Sequence, residues 1–305
     1  MTKSYRFLSL VFIICLSVFV GASLPVVAEG IAFSRNGWIF HIPAVGQSAV
    51  KMTLGDSPAM SPDGRKIAYC VNGSSAARAA IAVLNISTKK SALILKPGAI
   101  VTDVIWSPVD NQLAFITSTD AGKSQLQTMR SDGSARRKII SDGTSSVGFM
   151  FSPTWAADGQ SITFHDNEIL YRVSLSGSIL STTSTATIAG KKSSISSTDR
   201  FVFSPRSAQR LAFTQFVPGS AFSNKVTGEP NTALFIYDLG SKTRTRLTPV
   251  DLVAFSPVWS RDGRYLFFCG YRDKQYKEAY PFRIYRIGAD GKGLQELGKG
   301  EDPSL

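Results

Sequence analysis

Two histidines, His41 and His165, are the whole imidazole complement of this 305-residue chain, which narrows its metal and acid–base chemistry at once. A zinc-type site gathers three or four His, Cys or carboxylate ligands at close spacing, and neither histidine stands in such a pattern. His41 alternates with Ile39 along an apolar stretch and His165 follows Ile162-Thr163-Phe164, so both read as packed or edge histidines. No G-x-S-x-G nucleophile elbow occurs. The carboxylates that recur, Asp63, Asp158 and Asp262, sit in turn signatures such as Ser61-Pro62-Asp63-Gly64. There Pro fixes φ, Asp bonds its own backbone and Gly accepts positive φ. One such carboxylate per repeat argues for turns and against an acid–base pair. The expectation is no catalytic residue, no metal and no cofactor.

The elements around those turns repeat. SPDGRKIAYC at 61–70 is echoed by WSPVDNQLAFI, WAADGQSITFH, FSPRSAQRLAFT and WSRDGRYLFFC, which begin at Trp106, Trp155, Phe203 and Trp259. Each is an aromatic, a polar turn, then an aliphatic, a small and an aromatic residue. The triplet occurs six times, at Ile31-Ala32-Phe33, Ile67-Ala68-Tyr69, Leu113-Ala114-Phe115, Ile162-Thr163-Phe164, Leu211-Ala212-Phe213 and Leu266-Phe267-Phe268. Large residues share one face of a strand and the small one takes the other, so both faces are apolar and the strand lies between neighbouring sheets. A hairpin follows each triplet, with Ser-Asp-Gly, Ala-Asp-Gly, Gly46, Gly177 or Gly240 supplying the tight turn. Four short antiparallel strands per unit describe a propeller blade. The predicted fold is all-β, a six-bladed β-propeller. Its first unit lacks a leading strand, and Asp302-Pro303-Ser304-Leu305, which matches Ser57-Pro58-Ala59-Met60 and Ser256-Pro257-Val258-Trp259, is expected to supply it in a composite blade.

Residues 1–28 have the layout of a secretory signal, with Lys3 and Arg6, an apolar run from Phe7 to Val20, and Val26-Val27-Ala28 at the cleavage point. Cleavage near Ala28 is expected, leaving 29–305 as a periplasmic or secreted propeller that does not span the membrane. Cys70 and Cys269 hold the same place in different repeats, which in a ring lie far apart, so two separate buried thiols are expected. The formal charge of +12 falls to about +10 without Lys3 and Arg6, a basic excess that suits anionic envelope polymers or acidic partner surfaces. No nucleic-acid motif is visible.

The recurring W-S-P-D-G-x-x-I-A-F pattern resembles the propeller repeat of the TolB family over essentially the whole of 29–305. The resemblance implies a propeller and a binding role, here without the α/β domain that precedes the propeller in TolB and contributes to the Tol-Pal system. The repeat at Phe203 departs most, with Arg206-Ser207-Ala208 in place of Asp-Gly, and a longer or different turn is expected there. Similar propellers occur in prolyl-oligopeptidase-type enzymes and in oligogalacturonate lyases, whose metal is held mainly by histidines; two histidines are too few for that set.

Loops after each triplet and loops into the next blade share one face, and that face carries the long insertions at 71–80, 215–233 and 270–281. Long loops on a rigid ring are where function concentrates. Tyr271, Arg272, Lys274, Tyr276 and Lys277 interleave aromatics with cations, a composition suited to partner hot spots, and Phe216 and Phe222 stand on the adjacent insertion. The leading expectation is a monomeric, non-enzymatic propeller binding a protein or cell-envelope polymer through this face and the channel mouth. The alternative is a lyase or hydrolase acting on an acidic polysaccharide or lactone.

Overall fold

The computed structural model describes residues 29–72, 79–118, 123–143, 147–191, 193–217 and 231–305. The expected signal, at 1–28, lies outside them. Among the described residues no helix is long and apolar enough to cross a membrane.

The triplets form the second strand of each of six blades, and their burial explains why the strands exist. Every triplet residue is at most 3 % exposed, with its large side chains packed into clusters shared between adjoining blades. Four blades are separate four-stranded antiparallel sheets. The second and third are fused, because their adjoining strands are one continuous strand, Ser91–Trp106, within a seven-stranded sheet. The periodic pattern could not register that fusion, since the connecting Lys96-Pro97-Gly98 reads as a loop.

Closure follows the predicted composite. Glu301–Ser304 pairs antiparallel with Ile31–Arg35, matching Ala32 with Ser304 and Ser34 with Glu301. The closing strand also reaches the next blade, where Met60 N donates to Ser304 Oγ at 2.8 Å. Gly300 permits this approach: a Cβ there would stand 2.2 Å from Phe33 Cδ2.

The turn carboxylates are occupied as the sequence indicates. Asp63 Oδ1 accepts from Ser61 Oγ at 2.6 Å and Arg65 N at 3.0 Å, and Asp262 Oδ1 accepts from Ser260 Oγ at 2.7 Å and Arg264 N at 3.0 Å. At the departing repeat the turn is different, and it is shorter rather than longer. Ser204 pairs with Ser207 across Pro205-Arg206 alone, since Pro205 presets φ for a two-residue reversal. The hairpin expected to turn on Gly240 takes its left-handed position at Lys242 instead, φ 57°.

Candidate functional site

The innermost strands carry a feature that places side chains in the bore. Three residues before each Trp or its counterpart stand Ser57, Asp103, Ser152, Arg200, Ser256 and Asp302. All but Arg200 have positive φ, between 47° and 54°, and each of those five falls at a break in strand register. Proline follows four of them, at Pro58, Pro153, Pro257 and Pro303, which suits a bulge because the skipped N–H has no ladder partner to lose.

These positions bring together groups that the periodic reading leaves separate. Arg200 Nη2 meets Asp103 Oδ1 at 3.5 Å across the ring, and Asp302 Oδ1 accepts from Ser256 Oγ at 3.0 Å. Burial pushes the Asp103 carboxyl above the ordinary carboxylate range, opposed by Arg200. Glu301 is likewise raised by burial, with Asp302 and Asp56 adding to the effect. Under an exterior with a basic excess, the bore is carboxylate-rich.

Cavities open at both ends, and Asp302 lines both. On the long-loop face a cavity of about 310 Å³ is bounded by Phe216, Phe255 and Phe282, by the lead-in segment 194–199, and by Glu301 and Asp302. On the opposite face, among the short turns, lies a larger one of about 410 Å³. The long insertions direct attention to the long-loop face, and the short, uniform turns give the other mouth no such mark.

The predicted hot-spot residues divide. Tyr271 is 2 % exposed, which corrects the picture of a side chain offered to a partner. It lies between Phe255, centroids 6.1 Å apart, and Phe282, at 6.0 Å, and Tyr280 continues the cluster. Strand Tyr265–Arg272 runs through its position, and strand alternation turns the ring inward. Tyr271 thereby supports two phenyl rings that do line the mouth. Arg272 pairs with Asp251. Lys274 and Lys277 are exposed and Tyr276 is half-buried, with the Lys277 ammonium 5.8 Å from the Tyr276 ring centroid. Phe216 lines the mouth, and Phe222 lies outside the described residues.

The group that holds this loop has no sequence signature. Arg283, 5 % exposed, donates to the carbonyls of Tyr280, Pro281 and Phe282 at 2.9–3.1 Å and pairs with Glu278 at 2.6 Å and Glu296 at 3.2 Å. Phe149, 61 % exposed on the same face, stands outside the aromatic–cationic pattern as well. The histidines pack: His41 is 8 % and His165 0 % exposed. His165 Nε2 lies 2.8 Å from Asp199 O while Nδ1 accepts from Asn167 N at 3.2 Å, so the proton belongs on Nε2. Among the described residues no three His, Cys, Asp or Glu side chains group as metal ligands.

The class these features define is a six-bladed propeller with an open bore and two unequal mouths. No protein-family model and no curated protein sequence matches the chain. Its shape is shared with TolB from Acinetobacter baumannii, at TM-score 0.66 and 20 % identity over 90 % of this chain and 66 % of that one. An Agrobacterium tumefaciens protein assigned as TolB gives TM-score 0.60 and 17 % identity over 90 % and 91 %. An oligogalacturonate lyase in complex with manganese gives 0.51 and 10 % over 86 % and 70 %. The chain thus spans just under two thirds of the A. baumannii protein. The fold is that of the TolB propeller, and at these identities the likeness concerns the fold.

Proposed function

We propose that the chain is an exported, non-enzymatic propeller that binds a protein partner through its long-loop face, using the phenyl-lined mouth as the anchoring pocket. The carrying observation is that mouth. Phe216, Phe255 and Phe282 surround a cavity of about 310 Å³, Tyr271 and Tyr280 back the rings, and Arg283 fixes the loop bearing Phe282. Preorganised aromatic pockets at the centre of a polar rim are what hot spots require. Lys274, Tyr276, Lys277 and Arg272 belong to that rim. Glu301 and Asp302 at the bottom of the mouth repel an anionic polymer there, which favours a protein over an envelope polymer as its occupant.

The test is site-specific photocrosslinking in the compartment where the protein resides. A crosslinker replacing Phe216 should trap one defined protein, whereas one replacing Leu54, 59 % exposed on an outer strand, should not. Equal labelling from both positions, or none from Phe216, overturns the reading. Mass spectrometry of the exported protein should find Glu29 at the N-terminus, and an intact residue 1 counts against export with cleavage.

A further inference from the structure

We propose that the cavity on the short-turn face is a second, separate binding site, which takes a small organic ammonium ion carried on an apolar or aromatic body. Its size, about 410 Å³, is that of a small-molecule site. Its walls come from the column that repeats in every blade, with Met60, Trp106, Trp155, Phe203 and Trp259 all lining it. Its floor is the bore ring, with Asp103, Arg200 and Asp302.

The charge balance selects the ligand. Arg200 is engaged with Asp103. The other lining cation, Arg261, stands in the rim turn, where it donates to Ser61 O at 3.0 Å and is offset by the Glu29 carboxylate beside it. Asp302 has a hydroxyl partner, Ser256, and pairs with no described cation. The floor therefore holds one uncompensated carboxylate beneath apolar walls, and low-dielectric walls strengthen its pull on a cation. Indole faces add cation–π attraction, and an apolar body replaces water against the prolines and tryptophans. A compact inorganic cation would satisfy the carboxylate and leave those walls wet.

A second observation singles out one wall residue. Trp259 Nε1 donates to Val202 O at 2.8 Å and Trp106 Nε1 to Asp110 O at 3.2 Å, but the buried Trp155 Nε1 has no partner. Leaving such a donor unsatisfied is costly. Trp155 is thus the one lining tryptophan whose ring no hydrogen bond fixes.

Phenethylammonium, neutral 2-phenylethanol and anionic 3-phenylpropionate share one body and differ in charge. Three of the four tryptophans line the cavity, so intrinsic fluorescence reports occupancy. Phenethylammonium should bind saturably and the other two about tenfold more weakly or worse, the scale of one charge-assisted contact. Asp302→Asn keeps the side-chain acceptor and a residue type tolerant of positive φ, and should cut binding about tenfold with an unchanged melting temperature. If that variant does not fold, Asp103→Asn, which frees Arg200 to repel the ligand from another blade, should weaken binding similarly. Absence of saturable binding, equal or tighter binding of the anion or alcohol, or indifference to both variants overturns the proposal. So does saturable binding of a lysine-bearing peptide when phenethylammonium does not bind, which makes this mouth a macromolecular dock. Asp302 also borders the opposite mouth, but the crosslinking there is read from Phe216 in the otherwise native chain, so the two proposals fail separately.

Discussion

The two mouths of the bore are made in different ways. The short-turn mouth is built by repetition: one position per blade gives its walls, and the position three residues earlier gives its floor. The long-loop mouth is built by exceptions, with Phe216 and Phe282 on unequal insertions, the segment 194–199 leading into one blade only, and Arg283 bonding the loop of its own blade. A repeated wall is anchored six times over. A wall made of exceptions depends on single residues, so damage to the ring should weaken everything, and damage to one node should weaken one mouth.

Removing Asp302–Leu305 attacks what both mouths share and should have the largest effect. The deletion loses strand pairing to Ile31–Arg35, the bond from Met60 N to Ser304 Oγ, and the burial of Pro303 with half-buried Leu305. A few hydrogen bonds and partial apolar burial come to about 3 kcal/mol, which for a domain of this size lowers the melting temperature by roughly 6–12 °C. Calorimetry showing no change would mean that the composite blade does not hold the ring closed.

Arg283→Met is the matching attack on one mouth. The three carbonyls of Tyr280, Pro281 and Phe282 lose a charged donor, costing about 2 kcal/mol. Glu278 and Glu296 keep access to water, with side chains 37 % and 44 % exposed, so their loss of a partner adds little. Limited proteolysis should cut the variant within 273–281 while the opposite mouth keeps its ligand affinity. Equal loosening of both faces would break the distinction between them.

The same division decides what the sequence revealed. Six triplets, the tight turns and the closing strand were legible, because burial between sheets imposes one residue pattern on every blade. The bulge row was legible in principle, since Ser-Pro at Ser57, Ser152 and Ser256 stands three residues before Met60, Trp155 and Trp259. It stayed hidden because a register break has no signature in apolar periodicity, and Asp103 and Arg200 lack the proline. Tyr271 misled because its aromatic–cationic neighbourhood resembles a surface loop, whereas the strand continues to Arg272 and turns the ring inward. Arg283 was out of reach, since its three carbonyl acceptors follow from loop geometry and not from residue type.

Acid should separate the mouths by a smaller margin. His165 donates from Nε2 to Asp199 O, in the segment lining the long-loop mouth, and its Nδ1 accepts from Asn167 N. Burial lowers its pKa below the ordinary value. The unfolded chain therefore binds a proton near pH 6.5 while the folded chain does not. The stabilisation is present above that pH and is lost as pH falls toward the folded value. His41, also lowered by burial, acts in the same direction elsewhere, so the informative comparison is with His165→Asn. Hydrogen exchange between pH 7 and 5 should show 194–199 opening earlier in the native protein than in the variant. Equal acid response of the two proteins would remove His165 from the account.

The smallest effect concerns the two thiols, which occupy equivalent repeat positions and differ only in what surrounds them. Cys70 packs in the wall between the second and third blades, whereas Cys269 lines the long-loop mouth, with its Sγ 3.8 Å from Gly300 O. Both are free and buried. Burial pushes the Cys70 thiol up to about 12 and raises that of Cys269. The thiolate is the reactive form, so a shift of that size cuts its share near neutral pH by roughly a thousandfold. Iodoacetamide should label neither in the folded protein on the timescale of minutes. In unreduced, unfolded protein the thiol count should be two if residues 1–28 are removed and three if Cys15 is retained. Arg283→Met should then speed alkylation of Cys269 and leave Cys70 unchanged, because only the mouth of exceptions has lost its node. Equal acceleration at both sites would mean that the faces loosen together, and an absence of free thiol after unfolding would mean that the two cysteines meet.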